Sequence, residues 1–281
     1  MEKVSIIMSA YNAEKYISKA INSVFAQTYP NIELVITEDK STDSTLEIIQ
    51  RIIKDNPDRD IKLIVHEENL GAGWSRSDGI KASTGEYTAF LDSDDWLDKE
   101  CIETLVKAAK ETGADIVTPG YRIFSDKIIV VQPDKRVVVE GGDKFYQDSS
   151  DACRFLGPNL IKATLWSDVE YSKRRYCEDS PTFIQLIAKA KKRCILDYAG
   201  YNYLQVNTSL THTVSPYKEE IYSILCLLDS YEIFGDIITL QAFLYKLECI
   251  SKIQDKTGID GNEIDEIMNK ITSIIRKKLT K

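Results

Sequence analysis

Short β-branched runs alternate with helical patterns through the first 120 residues, and that alternation restricts the fold more than anything else in the chain. Residues 4–8 (Val-Ser-Ile-Ile-Met), 32–37, 61–65, 86–91 and 114–118 read as strands. Between them lie helical patterns: residues 13–25 place Tyr16, Ile17, Ala20, Ile21 and Val24 on one face, and further helices are expected over roughly 41–54, 74–83 and 98–111. The strands are almost continuously apolar, as burial on both faces requires. Short connections between such elements predict an α/β fold with a mostly parallel, Rossmann-like sheet flanked by helices.

The fourth strand ends in Asp92-Ser93-Asp94-Asp95. Carboxylates this dense repel one another unless a cation lies among them, and strand ends of parallel sheets are where ligands bind. A hard divalent ion shared with substrate phosphates answers both points. A solvated loop, or capping of the helix that begins near Asp98, would suit the same acids. A calcium loop of the EF-hand type is excluded, because its sixth position needs Gly and Leu97 stands there.

A net charge of −8 gives no sign of nucleic-acid binding. No run approaches the roughly 20 apolar residues of a membrane-spanning helix. The chain opens directly on a strand pattern without a basic leader, so a cytoplasmic protein is expected. The six cysteines, Cys101, Cys153, Cys177, Cys194, Cys226 and Cys249, contain no C-x-x-C pair, which removes zinc-ribbon and thioredoxin-like readings.

After residue 120 the texture changes. Residues 128–131 and 137–139 flank Pro133-Asp134 and suggest a hairpin. A helix is expected over 181–190, behind Glu178-Asp179, and a strand over 193–197. Three amphipathic helices are expected over 218–234, 237–254 and 260–279. The last carries Ile264, Ile267, Ile271, Ile274 and Ile275 on one face and ends in Arg276-Lys277-Lys278. It suits a helix packed on the main domain; an interfacial or homodimer-forming helix is the functional alternative.

Several segments together resemble family 2 glycosyltransferases of the GT-A fold. They are residues 4–12, residues 25–34, Glu38-Asp39-Lys40-Ser41-Thr42-Asp43, Asn69-Leu70-Gly71 with Arg76 and Gly79, Gly85 through Leu97, and Tyr176-Cys177-Glu178-Asp179. The resemblance is dense over residues 1–100 and thinner to about 215. It implies a glycosyltransferase domain over 1–215, with a nucleotide-sugar donor half (1–100) and an acceptor half (101–215), followed by a C-terminal helical extension over 216–281.

That resemblance implies inverting transfer of a sugar from a nucleotide-diphosphate donor, a UDP-sugar first, to an acceptor hydroxyl in bacterial surface-polysaccharide synthesis. Asp92 and Asp94 take the places of the family's D-x-D acids. Ser9, Tyr11, Asp39, Arg76, Asp92, Ser93 and Asp94 are expected at the donor, and Asp94 and Asp95 at a Mn²⁺ or Mg²⁺ ion. Asp179 is the expected general base. The acceptor would be a glycan or lipid-linked glycan, with peripheral contact at the inner face of the membrane through the C-terminal helices.

Each of these residues also has a plain structural use. Asp39 suits a turn, Arg76 a helix surface and Asp179 a helix start, while His212, Trp96 and Trp166 suit a loop or the core. The chain departs from the family at Lys40, where Gly is common and a different local turn is therefore expected, and at Ser77, where Asn is usual. A nucleotidyltransferase would need a Gly-rich loop after the first strand, where Ser9-Ala10-Tyr11-Asn12-Ala13 stands. A related protein that binds sugar nucleotide without turnover is the remaining alternative.

Overall fold

The computed structural model describes residues 1–140, 156–157, 159–169, 171–172 and 178–205. The chain divides into two compact units, Met1–Gln205 and Val206–Lys281. The helices expected after residue 216, His212 and Cys177 lie outside the described residues.

The described part of the first unit is one ten-stranded sheet with helices. Its parallel part comprises β1 (Val4–Ala10), β2 (Ile32–Glu38), β3 (Ile61–Val65) and β4 (Tyr87–Phe90), in the order β3-β2-β1-β4. Helices α1 (Ile17–Phe25), α2 (Thr45–Asp55) and α3 (Ala72–Ala82) make the crossovers. The core follows the sequence pattern: α1 buries Ile17, Ala20, Ile21 and Val24, packed with Ile6, Met8, Leu34 and Ile36 of the sheet.

The sheet then becomes mixed. Helix α4 (Cys101–Thr112) ends on Gly113 at φ +69° and leads into β6 (Ile116–Phe124). Strand β9 (Leu160–Lys162) runs antiparallel between β4 and β6. Helix α5 (Asp179–Lys189) precedes β10 (Lys192–Leu204), which is parallel to β6. The two-residue β5 (Trp96–Leu97) pairs antiparallel with β10 and closes the order β9-β6-β10-β5.

The expected hairpin around Pro133 does not form. Strand β7 (Ile128–Val131) pairs with β6, and β8 (Val137–Glu140) pairs with β10. Longer strands on either side offer each of them a partner, so local turn chemistry does not decide the pairing.

Two tight approaches fix the site's frame. A Cβ at Gly79 would lie 2.6 Å from Ile7 Cγ2, so α3 sits closer to β1 than any larger residue would allow. At the other end of the strands, buried Glu33 accepts hydrogen bonds from the Ser5 hydroxyl, the Thr84 N–H and the Thr84 hydroxyl, and pairs with Lys62 and Lys3. Burial alone would raise its pKa, but the Ser5, Thr84 and Lys62 donors outweigh it and hold Glu33 down at about 2.

Candidate active site

The C-terminal ends of β1, β2 and β4 open onto one edge, and the loops there are tied to each other. Asn12, at φ +49°, accepts a hydrogen bond from Thr42 N–H on its side-chain oxygen (2.8 Å), and its own N–H donates to Ser41 Oγ (3.0 Å). Glu38 accepts the Ser41 N–H (2.6 Å). Lys40 sits at φ +60°. Lys40 thus adopts the left-handed backbone that a Gly would take without strain.

Asp39 is buried at the end of β2. Its Oδ1 accepts from His66 Nδ1 (2.7 Å) and Leu70 N–H (2.9 Å), and its Oδ2 from Gly71 N–H (2.7 Å). Ser9 is half-buried in β1, while Tyr11, in the loop beyond, is 48% exposed.

Arg76 lies on the buried side of α3, one turn before Gly79. Its Nη2 donates to Asp92 Oδ1 (2.6 Å), and its Nη1 to Asp179 Oδ1 (2.8 Å) and to Glu178. Burial opposes its charge, but Asp179, Tyr171, Asp92 and Glu178 more than offset that and hold the guanidinium firmly protonated. Tyr171 donates its hydroxyl to the same Asp179 oxygen (2.6 Å). Burial raises the Glu178 pKa, Arg76 pulls it down and Asp179 pushes it up; the net direction is upward.

The acids after β4 have three different surroundings. Asp92 faces Arg76. Asp95 is fully buried: its Oδ2 accepts from Tyr201 Oη (2.5 Å) and its Oδ1 from Leu204 N–H (2.8 Å), which bind the loop to β10. Burial, then Asp92 and Asp94, raise its pKa in spite of those bonds. Asp94 is pushed up to about 6 by burial and the neighbouring Asp92 carboxylate, with only weak relief from Arg76. Ser93 is half-buried between them.

The sequence expects Arg76, Asp92 and Asp179 in one site, and the structure joins them in one hydrogen-bonded cluster. Asp39 belongs to a second cluster, with His66. Trp166 packs edge-on against Phe90 (5.9 Å) and donates to Thr88, and Trp96 packs on Phe124 (4.6 Å), so both serve packing. Sequence reasoning missed His66, Tyr171 and Tyr201. His66 directly follows a strand, which is a usable signal. Tyr171 and Tyr201 are two of the chain's 15 tyrosines and carry no local mark.

Among the described residues, no group of three or more His, Cys, Asp and Glu side chains is arranged as a metal centre. That excludes an all-protein cage there, but an ion held by one or two carboxylates and substrate phosphates needs none. Asp94 fits such a role: it is a half-buried carboxylate whose pKa is raised by burial and by the neighbouring Asp92 carboxylate. Asp95 is almost fully buried, and each of its oxygens accepts one hydrogen bond within the protein.

The sequence pattern of Glycosyl transferase family 2 matches residues 5–162, more than half of the chain. Among curated relatives, the chain is 36% identical over 126 residues to glycosyltransferase GlyA of Streptococcus pneumoniae, a match spanning 44% of this chain and 18% of GlyA. It is 28% identical over 238 residues to glycosyltransferase GlyG of the same species, spanning 75% of this chain and 74% of GlyG. Among solved structures, Staphylococcus aureus TarS 1–349 in complex with UDP-GlcNAc superposes with a TM-score of 0.75 at 22% identity, covering 98% of this chain and 81% of that one. The likeness to TarS is one of fold. With the strand order, the acid-ended fourth strand and the family match, it makes this chain a family 2 glycosyltransferase of the GT-A fold.

Proposed function

We propose that the enzyme carries out inverting transfer of a sugar from a nucleoside diphosphate donor, a UDP-sugar first, to the hydroxyl of a glycan or lipid-linked glycan in surface-polysaccharide synthesis. The observation that carries this reading is the Arg76 bridge. One guanidinium joins Asp92, at the end of the strand expected to meet the donor, to Glu178 and Asp179, on the helix expected to meet the acceptor. Support for a UDP-sugar comes from TarS, whose bound ligand is UDP-GlcNAc.

A sugar hydroxyl is too weak an acid to ionise beforehand, so it loses its proton as it attacks. Asp179 accepts two hydrogen bonds on Oδ1, from Tyr171 and Arg76; Oδ2 takes the proton. The new bond to the anomeric carbon forms as the bond to the phosphate oxygen breaks on the opposite face, which inverts that centre. Arg76 holds positive charge beside Asp92, where the diphosphate is expected. A Mn²⁺ or Mg²⁺ ion held by Asp94 would add charge neutralisation for the leaving group. Asp95, engaged by Tyr201 and Leu204, shapes the loop that presents Asp94. Ser9, Tyr11, Asp39 and Ser93 would hold the nucleotide. Such donors place the reaction in the cytoplasm, at the inner face of the membrane when the acceptor is lipid-linked; the second unit is the segment that would make membrane or homodimer contacts.

Calorimetric titration of UDP, GDP and CMP into the full chain, with and without Mn²⁺ and beside Asp94→Ala, tests the proposal. Tight binding of UDP that needs the metal and is lost in the variant is expected. Binding of no nucleotide under any condition sinks the donor assignment and leaves a scaffold without turnover.

A further inference from the structure

We infer that His66 is a specificity-determining residue of the donor site: it occupies Asp39 so that this carboxylate has room for a base edge with one N–H donor and not for an edge with two. The inference rests on the reading above, in which Asp39 meets the nucleobase.

The argument is a count of acceptor positions. A carboxylate has about four, two on each oxygen. In Asp39, Oδ1 takes His66 Nδ1 at 2.7 Å and Leu70 N–H at 2.9 Å, and Oδ2 takes Gly71 N–H at 2.7 Å. One position on Oδ2 is left. A carboxylate only accepts, so His66 Nδ1 carries the hydrogen it shares with Oδ1. Uracil presents a single ring N–H between two carbonyl groups and fits the remaining position. The guanine edge presents a ring N–H and an amino group side by side, and a carboxylate pairs with it through both oxygens. With Oδ1 filled, that second bond cannot form, and a buried amino group left unpaired lowers affinity.

The fold holds His66 where this requires. It directly follows β3, and its N–H donates to Glu38 O (2.9 Å), which continues the β2–β3 pairing by one residue beside Asp39. The ring is buried, and its Nε2 lies 3.4 Å from Asp78 Oδ2 on α3. The backbone fixes one side of the imidazole and α3 limits the other, so the ring has little freedom to release Oδ1.

The test is the ratio of UDP to GDP affinity, measured by calorimetry on the full chain in Mn²⁺; the shared diphosphate cancels and the ratio isolates the base. The wild type is expected to favour UDP. In His66→Ala, Oδ1 opens and the ratio should narrow by roughly tenfold, the equivalent of one modest hydrogen bond. His66→Asn, whose amide N–H can stand in for Nδ1–H, should restore the ratio; His66→Gln, whose amide lies one carbon further out, should not. The Asn and Gln pair keeps the test decisive if the alanine variant folds poorly. Equal loss of both affinities in His66→Ala and His66→Gln, with the ratio unchanged, would mark His66 as merely structural and overturn the inference alone. Asp39→Ala separates the underlying reading: if it binds UDP as the wild type does, Asp39 does not meet the base, and both fall together.

Discussion

Arg76 and Asp179 stand 103 residues apart in the chain and are joined by a 2.8 Å hydrogen bond from Nη1 to Oδ1. The bond orients the expected base, so Asp179 suits proton uptake that is concerted with attack. Asp179→Asn should reduce kcat by about 10²–10⁴-fold and leave UDP affinity within a few-fold. Tyr171→Phe removes only the orienting hydroxyl and should lower kcat roughly tenfold at unchanged donor KM. Nucleotide release from the donor measures both; full activity in Asp179→Asn would move the base elsewhere.

Asp94 and Asp95 are neighbours with opposite expected phenotypes. Asp94 is raised to about 6 by burial and Asp92, above an ordinary value near 4. Its ionised form is therefore disfavoured in the fold, and the cost grows as pH rises from about 4 through 6. At pH 8 the metal-free Asp94→Asn variant should be more stable by about 1–2 kcal/mol and should lose its Mn²⁺ response. Asp95→Ala strands the Tyr201 hydroxyl and the Leu204 N–H in the interior and should cost about 2 kcal/mol. Thermal melting with and without Mn²⁺ distinguishes them; a stable Asp95→Ala protein without a metal response would reverse the assignment.

Glu33 sets an acid limit. Its folded pKa of about 2 lies below the ordinary value near 4.3. Its contribution is therefore complete above about pH 5 and is lost as pH falls toward 2. Urea midpoints from pH 7 to 2 should decline less steeply below pH 5 in Glu33→Gln than in the wild type, from a lower starting stability. Parallel curves would place the acid sensitivity in other groups.

Lys40 is exposed and sits at φ +60°. Left-handed backbone costs a non-glycine residue about 1–2 kcal/mol, partly offset in a Gly replacement by greater freedom of the unfolded chain. Lys40→Gly should raise stability by about 0.5–1 kcal/mol, seen as a higher urea midpoint with an unchanged slope. A loss of stability would mean that the lysine side chain contributes more than the strain removes.

The sequence by itself determined the parallel half of the sheet, because period and apolar content are local properties: residues 4–8, 32–37 and 61–65 read as strands and are strands. It also brought Asp92, Asp94, Arg76 and Asp179 forward, through residue type, position at element ends and family resemblance. What it left undecided depended on which distant segments meet. Asp94 and Asp95 are chemically identical in the sequence, and only the arrival of β10, with Tyr201 and Leu204, makes Asp95 an anchor of the loop. The apolar runs at 128–131 and 137–139 look like partners until β6 and β10 take them separately. His66 and Tyr171 gain their roles from contacts 27 and 8 residues away. Alternation and chemistry are written along the chain, whereas hydrogen-bond partners across strands are set by packing and appear only when the sheet closes.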